Sequence, residues 1–271
     1  MPSAAEVEDF RDALDGISTL TIQELADLWR EVSDRGDAIT IRNILVEAVP
    51  ELLVPFETMA AQLTAVWYED LAAESPFVAT PADTSEVAAV EASVRWAVSP
   101  LFVVGSVTSP LDLMAGMAQR RVFDASRRTI FENGEREGGI RYARYASANA
   151  CEFCRMVATR KAVYASAESA MFVGGRGKDV STNFDENGKR KRGGQAKGVR
   201  ARGTQKLGDK YHDHCHCVSV PVRPGQRYEP PPYVNQWEQQ YKDAVRSTPG
   251  KGEYGAIDLK AVMAAMRAAE K

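Results

Sequence analysis

Cysteine and histidine are scarce in this chain: 271 residues contain four Cys and three His. So low a cysteine content excludes a disulfide-stapled scaffold. Long apolar runs are missing too. The best stretch, Ala97 to Val107, carries Pro100 and falls well short of the roughly 18 residues a membrane helix needs. No membrane contact is therefore expected. The first residues are acidic (Glu6, Glu8, Asp9, Asp12) and lack the basic-then-apolar order of a signal peptide. A reducing cytoplasm is the expected setting. Neither His-Glu-x-x-His nor Gly-x-Ser-x-Gly occurs, which removes two common hydrolase signatures.

What is present is a folding composition, with 44% apolar and 26% charged residues, enough for a core and too apolar for wholesale disorder. The formal net charge of −3 conceals a separation of sign. Residues 1–80 hold 16 acidic residues, four Arg and no Lys, a net of −12. Residues 174–210 hold 11 Lys and Arg against four acidic residues, a net of +7. Two surfaces with opposite partner preferences follow, although solvated helix faces and loops are commonly charged as well.

The first half reads as helices. Val7, Phe10, Leu14 and Ile17 recur at helical spacing, with Gly16 near the expected stop. Thr21 to Glu24 has the form of a capping box, which predicts a new helix carrying Ile22, Leu25, Trp29 and Val32. A periodic stretch follows from Ala38 to Glu74, where Pro50 and Pro55 are expected to kink or break the helix. After a Pro-bearing loop, helices are predicted over Thr84–Val98 and from Ser109-Pro110 to Asn133-Gly134. These stripes suit core packing, and residues 1–135 read as a helical, partner-docking region.

The character changes after Gly138-Gly139. Ile140–Ala146 alternates as a strand, Ala150–Ala158 reads as a short helix, Ala162–Ala165 as a strand and Ser166–Phe172 as another short helix. Residues 173–210 hold nine glycines and the run Lys189-Arg190-Lys191-Arg192, too little apolar surface to fold alone. Val218–Val222 alternates as a strand. Pro230-Pro231-Pro232 then precedes two final helices, about Val234–Val245 and Ile257–Ala269. The fold class expected is α+β: a mainly helical N-terminal half, a small α+β domain over 136–232, and a helical tail over 233–271.

Every Cys and His falls in two clusters. Cys151 and Cys154 form C-x-x-C, and His212, His214, Cys215, His216 and Cys217 lie within six residues of one another. Two thiols at the start of a helix, joined by a second cluster brought back by a loop, can complete a tetrahedral shell. The candidate ligands for a structural zinc are Cys151, Cys154, His212 and one of Cys215 or Cys217. Residues two apart on a strand face the same way, so spacing does not choose between the last two. Unliganded core thiols and a redox C-x-x-C remain the other readings. The redox motif leaves the second cluster unexplained. Asp213 to His216 also matches four residues of a zinc-bearing His-Asn-His endonuclease, but the second C-x-x-C of that class is missing.

The run Arg144 to Met156 (RYASANACEFCRM), Ala162-Val163-Tyr164, and Tyr211 to Cys217 (YHDHCHC) together resemble MuF-like phage minor capsid proteins, over roughly residues 110–235. In that family a C-x-x-C precedes a strand-borne His-x-x-Cys-x-Cys. Here the match falls on His212, Cys215 and Cys217, with Asp213 and His216 in place of the usual Pro and Arg. The resemblance implies a minor head protein at the portal vertex, inside the capsid of the virion and in the host cytoplasm during assembly. The partners implied are the portal protein and the scaffold or major capsid protein. Some relatives are labelled capsid maturation proteases, which is the alternative activity. Packaged DNA is a further expected partner: Lys189, Arg190, Lys191, Arg192, Lys197, Arg200 and Arg202 suit phosphate contact without base readout.

Overall fold

A computed structural model describes residues 1–71, 77–159, 162, 215–250 and 257–269. Their elements in chain order are α1 (Ala4–Val32), α2 (Ala38–Asp70), α3 (Val87–Ala97), a 3-10 turn (Ser99–Phe102), α4 (Pro110–Glu137), β1 (Arg141–Tyr145), α5 (Glu152–Ala158), β2 (Val218–Val222), α6 (Tyr233–Ser247) and α7 (Leu259–Ala268). The fold is α+β, mostly helical with a small two-stranded sheet. Among the described residues no helix is long and apolar enough to cross a membrane. The strand expected from Ala162 onward is described only at Ala162. The short helix over Ser166–Phe172 and the basic segment 174–210 lie outside the described residues.

The helices are longer and fewer than the sequence pattern suggests. α1 starts at a capping box, but at Ser3 and Glu6 rather than at Thr21 and Glu24. Thr21 is fully buried, and its hydroxyl donates to the Ile17 carbonyl at 2.8 Å, one turn back. A side chain engaged this way cannot cap, and the apolar stripe from Val7 to Leu25 carries one helix straight through the exposed Gly16. α2 likewise runs through Pro50 and Pro55 without ending. Each proline leaves a carbonyl without its helical donor. Burial of Leu45, Val49, Leu53, Ala60 and Ala61 against α1, α3 and α4 holds the helix together regardless.

α4 is the central element and packs on α1, α2, α3 and β2. Ser109 caps its first turn, accepting from the Asp112 amide at 3.3 Å, with Pro110 at the first helical position. It ends at Gly138, at φ 76°, one turn later than Asn133-Gly134 predicts. Asn133 is buried and serves another purpose. It accepts from the Thr80 amide at 2.8 Å and donates to the Thr80 carbonyl at 2.7 Å. Glu69, Thr129 and Glu57 accept from the amides of Ala79, Ala82 and Ser85 in the same way. The irregular segment 77–86 thus lies on the helices with four of its backbone donors met by side chains rather than by a sheet.

β1 and β2 pair antiparallel, Arg141 opposite Val222, Ala143 opposite Val220 and Tyr145 opposite Val218. Every residue of β2 is buried. Val218, Val220 and Val222 join Val7, Phe10 and Leu14 of α1 and Val122 and Phe123 of α4 in one apolar cluster. A second cluster joins Tyr68 and Ile130 to Tyr142, Met156, Ala244 and Val262. Both draw on residues before and after position 135, so the helices and the sheet share their cores.

Candidate metal centre

Two backbone segments build the centre. Cys151 occupies the position just before α5, in extended conformation, and Cys154 follows one turn into the helix. Cys215 and Cys217 lie on the approach to β2, two residues apart, and both turn inward to the same cluster. The ladder to β1 holds that approach against α5, because β1 leads into the turn that starts α5. Cys154, Cys215 and Cys217 are each 2% exposed. They pack with Ala146, Ala158, and Val234 and Trp237 of α6.

The sulfurs are close without being bonded. Cys154 Sγ stands 3.5 Å from Cys215 Sγ, and the Sγ atoms of Cys154, Cys215 and Cys217 all lie within 4.8 Å of one another. All four cysteines are thiols. Four sulfurs around one zinc at about 2.3 Å stand about 3.8 Å apart, which these separations bracket. The donor set therefore fits a thiophilic metal ion, and three buried cysteines are in place to hold one. Cys151 meets the Cys154 thiol from the rim and is half-buried.

Protonation of the cluster is shared. Cys154 is pushed far up by hydrogen bonding to the Cys151, Cys215 and Cys217 thiols and by burial. Cys215 is drawn well down by the bonds it receives from Cys154 and Cys217, against the cost of burial, with help from the Arg127 charge. Cys217 stands well above the ordinary thiol range: its bond with Cys154 lowers it, and the Cys215 contact, burial and the Cys215 charge outweigh that. The contacts thus favour ionisation at Cys215 over its two neighbours. A bound cation replaces those shared protons.

Arg127, in the middle of α4 and 2% exposed, closes the inner side. Its Nε donates to the Cys217 carbonyl at 3.1 Å, and its Nη2 to the Cys217 and Cys215 carbonyls at 2.7 and 3.0 Å and to Cys215 Sγ at 3.7 Å. Its Nη1 bonds Asp124 at 2.8 Å. His216, between the two cysteines, turns the other way. Its ring nitrogens face the Asp15 carboxylate of α1 and Gln119 Nε2 of α4, the latter at 2.7 Å.

Of the metal-ligand candidates, Cys154, Cys215 and Cys217 come together, Cys151 borders them, and His212 lies outside the described residues, as does His214. The spacing left a choice between Cys215 and Cys217; the chain brings both to the cluster. The DNA-contact candidates Lys189, Arg190, Lys191, Arg192, Lys197, Arg200 and Arg202 also lie outside the described residues. Sequence reasoning missed Arg127, Gln119 and Asp15. Nothing in a helical repeat marks one arginine as the one facing inward, and Asp15 lies 201 residues before its His216 partner.

A family model described as VG15 protein matches residues 1–244, and the chain accordingly belongs to this family of viral proteins. No curated protein and no solved structure matches it.

Proposed function

We propose that this VG15-family phage protein is a MuF-like minor head protein, a structural component bound at the portal vertex on the inside of the capsid. The observation that carries this reading is the closed thiol centre. Its three sulfurs are buried beneath α6 and Arg127, and it joins chain segments 61 residues apart. Sulfur-rich, enclosed sites hold metal for structure, whereas hydrolytic sites keep a position open to water. In this reading the ion is zinc, held by Cys154, Cys215 and Cys217, with Cys151 or His212 as the fourth ligand. Bound there, zinc supplies cross-linking of the α5 start to the β2 approach, and no step of chemistry.

The protease alternative finds less support. Asp15 and His216 have the look of an acid–base pair, but the ring nitrogen that a nucleophile would need faces Gln119. The acidic residues of the first 80 suit docking on a basic face of the portal, and the basic segment suits non-specific contact with packaged DNA.

Two measurements test the reading. Elemental analysis of protein purified without chelator should give one zinc per chain, and none would end the metal assignment. Mass spectrometry of purified virions, with cross-linking to the portal, should place the chain among head proteins at that vertex. Absence from virions, or specific cleavage of scaffold or capsid subunits by the purified protein, would overturn the structural role.

A further inference from the structure

The arginine that closes the thiol centre makes more contacts than packing requires. Arg127 is a charged side chain almost wholly withdrawn from water, which is costly unless the charge is matched. Asp124 offsets it on one side, at 2.8 Å. On the other side the guanidinium spans the backbone of both cysteines of the C-x-C pair. Three N–H contacts reach the Cys215 and Cys217 carbonyls at 2.7–3.1 Å, and one reaches Cys215 Sγ at 3.7 Å. The planar fork fixes two carbonyls at once, a task a lysine ammonium does not reproduce.

A cation bound by three or four thiolates leaves the assembly with net negative charge, and burial makes that charge expensive. An N–H donor aimed at a ligand sulfur withdraws part of it, and a fixed ligand backbone removes the entropy of gathering the donors. Resting on the metal reading above, we propose that Arg127 is a positioning residue for the metal centre: it presets the Cys215–Cys217 backbone for coordination and offsets the charge of the metal–thiolate assembly.

The full-length chain, stripped and reloaded, tests this with Zn(II) and Co(II) as probes. Arg127→Met should bind zinc about 10 to 100-fold more weakly in chelator competition while keeping the parent's helical circular dichroism. Its sulfur-to-cobalt charge-transfer band should shift in energy or intensity. Arg127→Lys, which keeps the charge but not the fork, should fall between the two in affinity and partly restore the band. A folded Arg127→Met with the parent's zinc affinity and cobalt spectrum overturns the proposal. If Arg127→Met does not fold, Arg127→Lys decides: weakened affinity with an altered band supports the role, and parental values refute it. A parent chain that takes up neither metal brings down the metal reading itself, and this proposal with it.

Discussion

Gly134→Ala sets two physical expectations against each other. Gly134 lies inside α4, where alanine is intrinsically favoured by about 1 kcal/mol. Propensity alone therefore predicts stabilisation. The structure predicts the reverse. A Cβ built on Gly134 would stand 2.2 Å from Tyr142 Oη, 3.0 Å from Cζ and 3.1 Å from Cε1. Tyr142 cannot swing aside. It is 2% exposed, on β1, with its ring edge-on to Phe131 at 4.8 Å. Overpacking of this kind costs about 1–3 kcal/mol, and a contact this short belongs at the upper end. Subtracting the propensity gain leaves a net loss of about 1–2 kcal/mol. Urea unfolding should show the loss as a lower midpoint at unchanged slope. In a Tyr142→Phe background the nearest atom becomes Cζ, and Gly134→Ala should be close to neutral. The double-mutant cycle would then give a coupling of about 1–2 kcal/mol. A higher urea midpoint for Gly134→Ala in the native Tyr142 background would refute the reasoning.

Glu137 should make stability acid-sensitive. Burial raises its pKa, but hydrogen bonds from Arg223 and Tyr68 and the Arg223 charge outweigh this and hold it below 4.5. A carboxylate lowered on folding stabilises fully above its unfolded pKa and loses that contribution as pH falls through the folded one; Glu137→Gln should therefore flatten the pH dependence of thermal unfolding below about pH 4.5. Pro55→Ala, at an exposed position inside α2, should raise stability by about 1–2 kcal/mol, since the restored helical hydrogen bond outweighs the added freedom of the unfolded chain; an unchanged or lower urea midpoint would count against this. Cys217→Ser should abolish tight zinc binding and speed amide exchange in β1 and β2 more than in α3, as hydrogen-exchange mass spectrometry would show. Replacing Lys189, Arg190, Lys191 and Arg192 by Ala should flatten the slope of log DNA affinity against log salt by about two to four units; an unchanged slope would mean the segment is only a linker.

Local pattern carried a large part of this protein. Both strands, the short helix after Cys151, the Ser109-Pro110 helix start and the two C-terminal helices could be read from spacing and capping chemistry, because each depends on neighbours a few residues away. The two Cys and His clusters announced a thiol centre for the same reason. Helix ends were less legible. Thr21, Gly16, Pro50, Pro55 and Gly134 each carry a local breaking or capping signal, and each sits inside an intact helix. Burial of long apolar stripes against neighbouring helices outweighs a local penalty of about 1–3 kcal/mol. Only the tertiary structure could bring both Cys215 and Cys217 to Cys154 and select Arg127 from the arginines of α4. It likewise chose Asn133, Glu69, Thr129 and Glu57 to hold segment 77–86. Those choices rest on contacts between residues 10 to 90 positions apart, whose partners are set by how the helices pack and not by any periodicity along the chain.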